Sequence, residues 1–163
     1  MSTFTELVGS SGLRETLGVS GIPAPTFISI ARALKCVLAA DGEVNGAELN
    51  AYLETCRRFG ATDEMLAELR QFDPTGTTVE MCFGGVDPDS IPSRTLLYEA
   101  IRIAKADGSY ADAERAVVKR AADLLGIDAD TLANITALAD AEQALRNLRI
   151  SMLVPPGLKQ YLD

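Results

Sequence analysis

The chain of 163 residues contains no histidine, and this absence narrows the chemistry that it can perform. A Cys-His or Ser-His nucleophile is excluded. Zinc sites use nitrogen and sulfur ligands, and the chain has only three cysteines with no Cys-x-x-Cys pair, so a zinc site is not expected. Carboxylate-based or metal-dependent chemistry is the enzymatic class that the composition leaves open.

The three cysteines differ in their sequence surroundings. Cys36 and Cys56 lie in apolar, helix-like segments, where buried and inert thiols are the usual outcome. Cys82 lies in the loop sequence Met81-Cys82-Phe83-Gly84-Gly85 and is the candidate for an exposed reactive thiol. Nothing near it in the sequence is expected to lower its pKa.

Three further sequence signals are missing. No apolar run approaches the roughly 20 residues of a membrane-spanning helix. The first residues, Met1 to Glu6, show no basic region followed by an apolar run, so we expect a cytoplasmic protein without direct membrane insertion. The glycine pairs at Gly9–Gly12 and Gly84–Gly85 lack the Lys-Ser/Thr of a phosphate-binding loop.

Positive charge is also scarce, since the formal net charge is -8 and the sequence pI is about 4.6. Such a field repels phosphate backbones, and no basic stripe or set of stacking aromatics offsets it, so no nucleic-acid partner is expected. Cations and basic protein surfaces are the natural partners. The alternative is that the charge serves solubility alone.

What the sequence does contain is a duplicated acidic turn. Asp41-Gly42 is followed by five residues and Glu48, and Asp107-Gly108 by five residues and Glu114. The two motifs start 66 residues apart, and residues 35–67 align without a gap on 101–133. The pattern predicts a tandem helical repeat in which each copy contains the same acidic turn.

Apolar residues recur at helical spacing on both sides of each turn, for example Phe27, Ile30, Ala31, Leu34 and Leu38 before the first one, with Arg32 and Lys35 displaced from that stripe. The prediction is an all-α fold: a single domain of about seven helices built from two helix-turn-helix repeats related by a pseudo-two-fold axis. Residues 1–23 would form a short helical cover. The domain would span 24–150, with repeats at about 24–72 and 93–150, a linker at 73–92, and a tail at 151–163.

The two aspartates end their predicted helices, where the helix dipole disfavours a carboxylate by about 0.3–1 kcal/mol. This cost would be compensated if the carboxylate capped the next helix, paired with a basic side chain or bound a metal cation. Capping is a complete explanation for the glutamates, because Asn45 to Glu48 fits a capping box. An EF-hand is excluded, since Tyr52 occupies the place of its bidentate glutamate.

If the two turns converge, they can supply four metal ligands together: Asp41, Glu48, Asp107 and Glu114. The expected ligand is then a divalent cation, Ca²⁺, Mg²⁺ or Mn²⁺, and no organic cofactor is expected. In the second copy, Ser109 and Ala111 occupy the positions of Glu43 and Asn45, so such a site would be asymmetric.

With its two Ala-Asp-Gly turns in helix-turn-helix context, the chain resembles the tellurite-resistance TerB-like family over roughly residues 24–150. The resemblance implies an all-helical, duplicated domain with no established enzymatic activity and a role in bacterial tellurite and stress resistance. It also implies an acidic metal-binding surface, to which the four acids above correspond. Related domains occur fused to membrane-anchored J-domain co-chaperones.

The predicted function is therefore a non-enzymatic module of the tellurite-resistance and stress-response type that binds a cation or a basic protein partner through the Asp-Gly turns. One alternative is an interaction adaptor whose turns serve structure only. A second is a metal-dependent hydrolase with carboxylate ligands. The sequence carries no information on the oligomeric state.

Overall fold

The computed structural model describes residues 7–39, 44–78, 80–81, 93–105, 110, 112–156 and 158. These residues contain seven α-helices and one two-stranded sheet. The helices are α1 (Ser11–Leu17), α2 (Ala24–Leu38), α3 (Gly46–Arg58), α4 (Asp63–Gln71), α5 (Ser93–Ala104), α6 (Asp112–Leu124) and α7 (Ala129–Leu153). The prediction of an all-α fold is confirmed.

Local signals in the sequence account for where the helices begin. Asn45, Thr62 and Asp128 each accept a hydrogen bond from a backbone N–H in the first turn of the helix that follows. These side chains satisfy N–H groups that have no partner inside the helix. α2 carries Pro25 in its first turn, where a proline costs no hydrogen bond.

Four of the six helix limits in the two predicted repeats match at an offset of 66 residues, whereas the starts of α2 and α5 and the ends of α4 and α7 do not. α2 and α5 end at Leu38 and Ala104, α3 and α6 both span 13 residues, and α4 and α7 begin at Asp63 and Ala129. The glycines that precede the third helix of each unit, Gly60 and Gly126, both have positive φ angles, of 105° and 67°. Each unit thus contains three helices, and the pseudo-two-fold relation between them stays a prediction.

The N-terminal segment contains two short strands that the sequence did not predict. β1 (Leu7–Val8) pairs antiparallel with β2 (Ile22–Pro23), and α1 lies between them. The segment packs closely on the end of α3, where a Cβ at Gly12 would lie 2.5 Å from the carbonyl oxygen of Arg58. Two-residue strands have no apolar alternation, so tertiary contacts rather than sequence pattern place them.

α5 lies at the centre of the domain and packs mainly against α2 and α7. Its apolar residues are almost completely buried, namely Leu96, Leu97, Ala100, Ile101, Ile103 and Ala104. α7 is the longest helix in the described part of the chain, with 25 residues. None of the helices in the described part of the chain combines the length and the apolarity that a membrane crossing needs.

Several predicted features fall outside the described residues. They are the two turn aspartates Asp41 and Asp107, Cys82, most of the linker at 73–92 and most of the tail after Pro156.

Candidate functional site

The structure places two of the four predicted ligand residues, Glu48 and Glu114, and both are buried. Their exposed fractions are 3% and 2%. Each lies in the first turn of the helix that follows its acidic turn, α3 for Glu48 and α6 for Glu114. The positive N-terminal end of a helix stabilises a carboxylate, so neither glutamate needs a metal ion to balance its charge.

Glu48 belongs to a complete capping box. Its Oε2 accepts a hydrogen bond of 2.9 Å from the backbone N–H of Asn45, and the Asn45 side chain accepts from the N–H groups of Ala47 and Glu48 at 2.9 and 3.0 Å. The capping interpretation of Glu48 is therefore confirmed. Capping leaves the metal interpretation untested, because the set of four ligands includes Asp41 and Asp107, which lie outside the described residues.

The second turn is bordered by cationic groups. Lys105 and Arg115 both stack on the Tyr110 ring, 5.2 and 4.9 Å from its centroid, and the Arg115 guanidinium donates a 2.6 Å hydrogen bond to the Tyr110 carbonyl oxygen. Burial, with a smaller contribution from the Glu114 carboxylate, raises the pKa of Tyr110 to about 12. Glu114 thus lies close enough to Tyr110 to act on its hydroxyl, an environment that differs from that of Glu48.

Among the described residues, no cluster of three or more Asp, Glu, Cys or His side chains is arranged to hold a metal ion. A site built on the acidic turns would need oxygens from the segments at 40–43 and 106–109 in addition to the two glutamates. What the described arrangement offers chemically is two buried carboxylates, each at the positive end of a helix.

Sequence reasoning missed two other buried charges, Lys35 and Glu99. Lys35 is displaced from the apolar stripe of α2 in the sequence, but the residue is buried, with only 5% exposure. Its ammonium donates hydrogen bonds to the carbonyl oxygens of Leu69, Arg70 and Phe72 at 2.8, 2.8 and 2.6 Å. Lys35 therefore caps the C-terminal end of α4, where the last carbonyl groups have no hydrogen-bond donor within the helix.

Glu99 is 1% exposed and joins the two repeats. Its two carboxylate oxygens accept hydrogen bonds of 2.8 Å from Arg58 of α3 and Arg102 of α5, and Arg102 also donates to the Thr55 hydroxyl. The available signal was an acid within the apolar pattern of α5, but its partner on α3 lies 41 residues away in sequence.

The cysteine predictions are partly corrected. Cys56 is a free, buried thiol as predicted, whereas Cys36 is disulfide-bonded and not a free thiol. Sequence reasoning had no signal for this bond, because neither the spacing nor the surroundings of the cysteines pointed to a pair. Disulfides are rare in reducing compartments, so the bond gives no support to the expected cytoplasmic location, which stays a prediction.

Burial of Cys56 predicts a loss of stability in alkali. Burial raises the pKa of the Cys56 thiol from 9.0 to about 12. The unfolded chain then releases this proton at lower pH than the folded chain, so stability is full below pH 9 and falls as pH rises. At pH 10 the thiol should cost about 1.4 kcal/mol, measured as the change in urea unfolding free energy from pH 8.

Cys56→Ala is the control, because it should remove this part of the pH dependence while lowering stability equally at both pH values. Burial also raises the pKa of the Tyr52 hydroxyl, which donates a 2.9 Å hydrogen bond to the Ala31 carbonyl, so a further loss is expected above pH 10 in both proteins. Equal pH slopes for wild type and variant between pH 8 and 10 would contradict the assignment.

Comparisons with known proteins give consistent results. A sequence model of the family described as tellurite resistance protein TerB matches residues 92–137, which include α5, the second acidic turn and α6. The crystal structure of a tellurite resistance protein from Nostoc punctiforme PCC 73102 is 27% identical in sequence, with a TM-score of 0.74 over 95% of this chain and 97% of that chain. A search of curated proteins finds no match.

Proposed function

We propose, on the premise that this chain carries a TerB-type tellurite-resistance domain, that it is a non-enzymatic binding module for a divalent cation or a basic protein surface. The observation that carries the proposal is the repeated placement of a buried glutamate, Glu48 and Glu114, directly after each acidic turn. The same local frame thus ends in the same buried carboxylate in both halves of the domain.

The electrostatics of the chain support a positively charged ligand. Its formal net charge is -8, and in the sequence each Asp-Gly pair follows shortly after the C-terminal end of a helix, α2 or α5, where the helix dipole is negative. A hard cation such as Ca²⁺, Mg²⁺ or Mn²⁺ prefers carboxylate oxygens, which the turn sequences contain. An anion such as tellurite is disfavoured at the same turns, so the domain would support resistance without binding the oxyanion there.

The two turns should not contribute equally. The first turn contains Glu43 and Asn45 in addition to Asp41, whereas the second contains Ser109 and Ala111 at those places and is bordered by Lys105 and Arg115. Neighbouring cations weaken the attraction for another cation. We therefore assign the stronger cation affinity to the first turn.

The adaptor alternative is also favoured by one observation, the complete capping box at Asn45 and Glu48. A glutamate that already serves a helix N-terminus has a sufficient structural reason to be there. In this alternative the turns are structural, and the acidic surface alone meets a basic partner.

A cation-binding domain should melt at a higher temperature when the cation is present. At a free cation concentration of 100 times the dissociation constant, the gain is about 2.7 kcal/mol, which raises the melting temperature by several degrees. The measurement is thermal unfolding in Ca²⁺, Mg²⁺ and Mn²⁺, each with and without a chelator. No shift at millimolar concentration of any of the three ions would remove the cation proposal and leave the adaptor.

The variant Asp41→Asn with Asp107→Asn tests where the cation binds. Loss of the ion response with the fold intact supports ligation at the turns, whereas unfolding with and without ions supports a structural role. The matched control is Asp63→Asn with Asp130→Asn, which removes two carboxylates from the first turns of α4 and α7. The control should keep the full ion response with only a small loss of stability.

A further inference from the structure

The second half of α7 has no buried residue in the described structure, and polar contacts from Lys105 to Asp140 and from Tyr98 to Glu142 join only its beginning to α5 and the residue that follows α5. The last buried residue of α7 is Ala139, and every residue from Asp140 to Arg149 is exposed. The helix nevertheless continues to Leu153, about 21 Å beyond Ala139 at 1.5 Å per residue. An isolated helix of this length is marginal in water, so a partner is expected to stabilise it.

The exposed half carries an ordered apolar stripe. We define the α7 stripe as Leu138, Ala141, Leu145, Leu148 and Met152, which recur at spacings of three, four, three and four. The four large side chains are 52–75% exposed. The stripe lies on a different side of the helix from Ile135 and Ala139. These two residues are one helical turn apart and face the core. A 3–4 alternation is the spacing of a helix–helix seam.

The net charge of this half-helix indicates which partner can pack on the α7 stripe. The ionisable residues after Ala141 in α7 are Glu142, Arg146 and Arg149, so this half-helix carries a net charge of about +1 at neutral pH, in contrast to the -8 of the whole chain. A basic partner of the kind proposed for the acidic turns does not match it. Two copies of the half-helix, in contrast, meet without the repulsion that the acidic body would cause.

We propose that the α7 stripe is a self-association surface on which α7 of a second copy packs in the antiparallel direction. In one register, Leu145 faces Leu148 of the second copy and Ala141 faces its Met152, so that two Leu–Leu layers lie between two Ala–Met layers. The same register brings Glu142 beside Arg149 of the second copy, and the two-fold symmetry repeats this pair. A parallel arrangement would place alanines beside both charges and form neither pair.

The first experiment measures the mass of the full chain by sedimentation equilibrium at increasing concentration. Wild type should reach a dimer at high micromolar concentration. Leu145→Glu places a charge in the seam of both copies and should weaken the dimer about a hundredfold. The matched control is Leu124→Glu, a 43% exposed leucine at the end of α6, which should leave the dimer unchanged.

The second experiment tests the direction of packing by charge reversal. Arg149→Glu should weaken the dimer about tenfold, because it opposes Glu142 of the second copy with a like charge. Adding Glu142→Arg to Arg149→Glu restores both pairs with exchanged signs and should recover the wild-type dimer. Because Glu142 also accepts a hydrogen bond from the Tyr98 hydroxyl, melting of each variant separates a folding defect from a dimer defect.

A wild-type chain that stays monomeric at all accessible concentrations overturns the proposal. A dimer that Leu145→Glu does not weaken also overturns it, since the contact then lies elsewhere. If Leu145→Glu dissociates the dimer but the charge exchange gives no recovery, the antiparallel arrangement is wrong. Loss of the dimer leaves the cation response of the Asp-Gly turns unchanged, so the two proposals are tested separately.

Discussion

Replacing Glu99 by alanine should lower the free energy of unfolding by about 3 kcal/mol, at the lower end of the 3–5 kcal/mol observed when one partner of a buried ion pair is removed. The carboxylate is 1% exposed, and both of its oxygens bind guanidinium groups at 2.8 Å. Its loss leaves Arg58 and Arg102 close together without the anion between them. The lower end of the range applies because the two arginine side chains are 43% and 32% exposed, and water screens them in part.

The measurement is urea unfolding of the purified variant followed by circular dichroism. Glu99→Gln keeps the volume and removes the charge, so it separates the lost ion pairs from a packing defect and should retain part of the stability. The control is Glu54→Ala, which removes a 71% exposed carboxylate at 3.4 Å from Arg57 and should change stability by less than about 0.5 kcal/mol. Equal effects of Glu99→Ala and the control would contradict the assigned role of the network.

Replacing Lys35 by methionine should destabilise the domain by a similar amount, about 3 kcal/mol. The methionine keeps most of the apolar stem but cannot donate to the carbonyl oxygens of Leu69, Arg70 and Phe72, which then lose their partner at the end of α4. Burial lowers the pKa of the Lys35 ammonium below its ordinary 10.5, so removing the charge recovers part of the cost of burying it. This recovery keeps the loss below the sum of three charged hydrogen bonds.

The consequence should be strongest in α4, because the carbonyls that lose their donor belong to its last turn and the residue after it. Hydrogen exchange should show faster exchange in α4 than in α5 when Lys35→Met is compared with wild type. Lys119→Met, which removes an exposed ammonium from α6, is the control and should leave both stability and exchange unchanged. Uniformly faster exchange in all helices would instead indicate a general loss of packing.

The sequence predicted the fold class and the family resemblance correctly, because both depend on features that repeat along the chain. Apolar residues at helical spacing identify α2, α3, α5 and α6, and the acidic motif, which occurs twice 66 residues apart, carries the family resemblance. The capping residue Asn45 was also found, since a cap acts within three residues of itself. The short strands before α2 were missed, because two residues carry no readable pattern.

The candidate site was predictable only in part. The sequence selected Glu48 and Glu114 by their spacing from the turns, but whether Asp41 and Asp107 complete a site with them stays a prediction. The spacing could not reveal that Glu48 is engaged in a complete capping box or that Lys105 and Arg115 flank the second turn at Tyr110. Those features depend on side-chain directions that only the folded chain fixes.

The sequence by itself determined the fold class and the capping box at the start of α3, because caps and apolar periodicity act over a few neighbouring residues. Only the tertiary structure decided which charges are buried. Lys35 reaches carbonyls more than 30 residues away, and Glu99 is neutralised by an arginine 41 residues away. A buried charge is stable only beside its counterpart, and the chain brings the two together only when the helices pack.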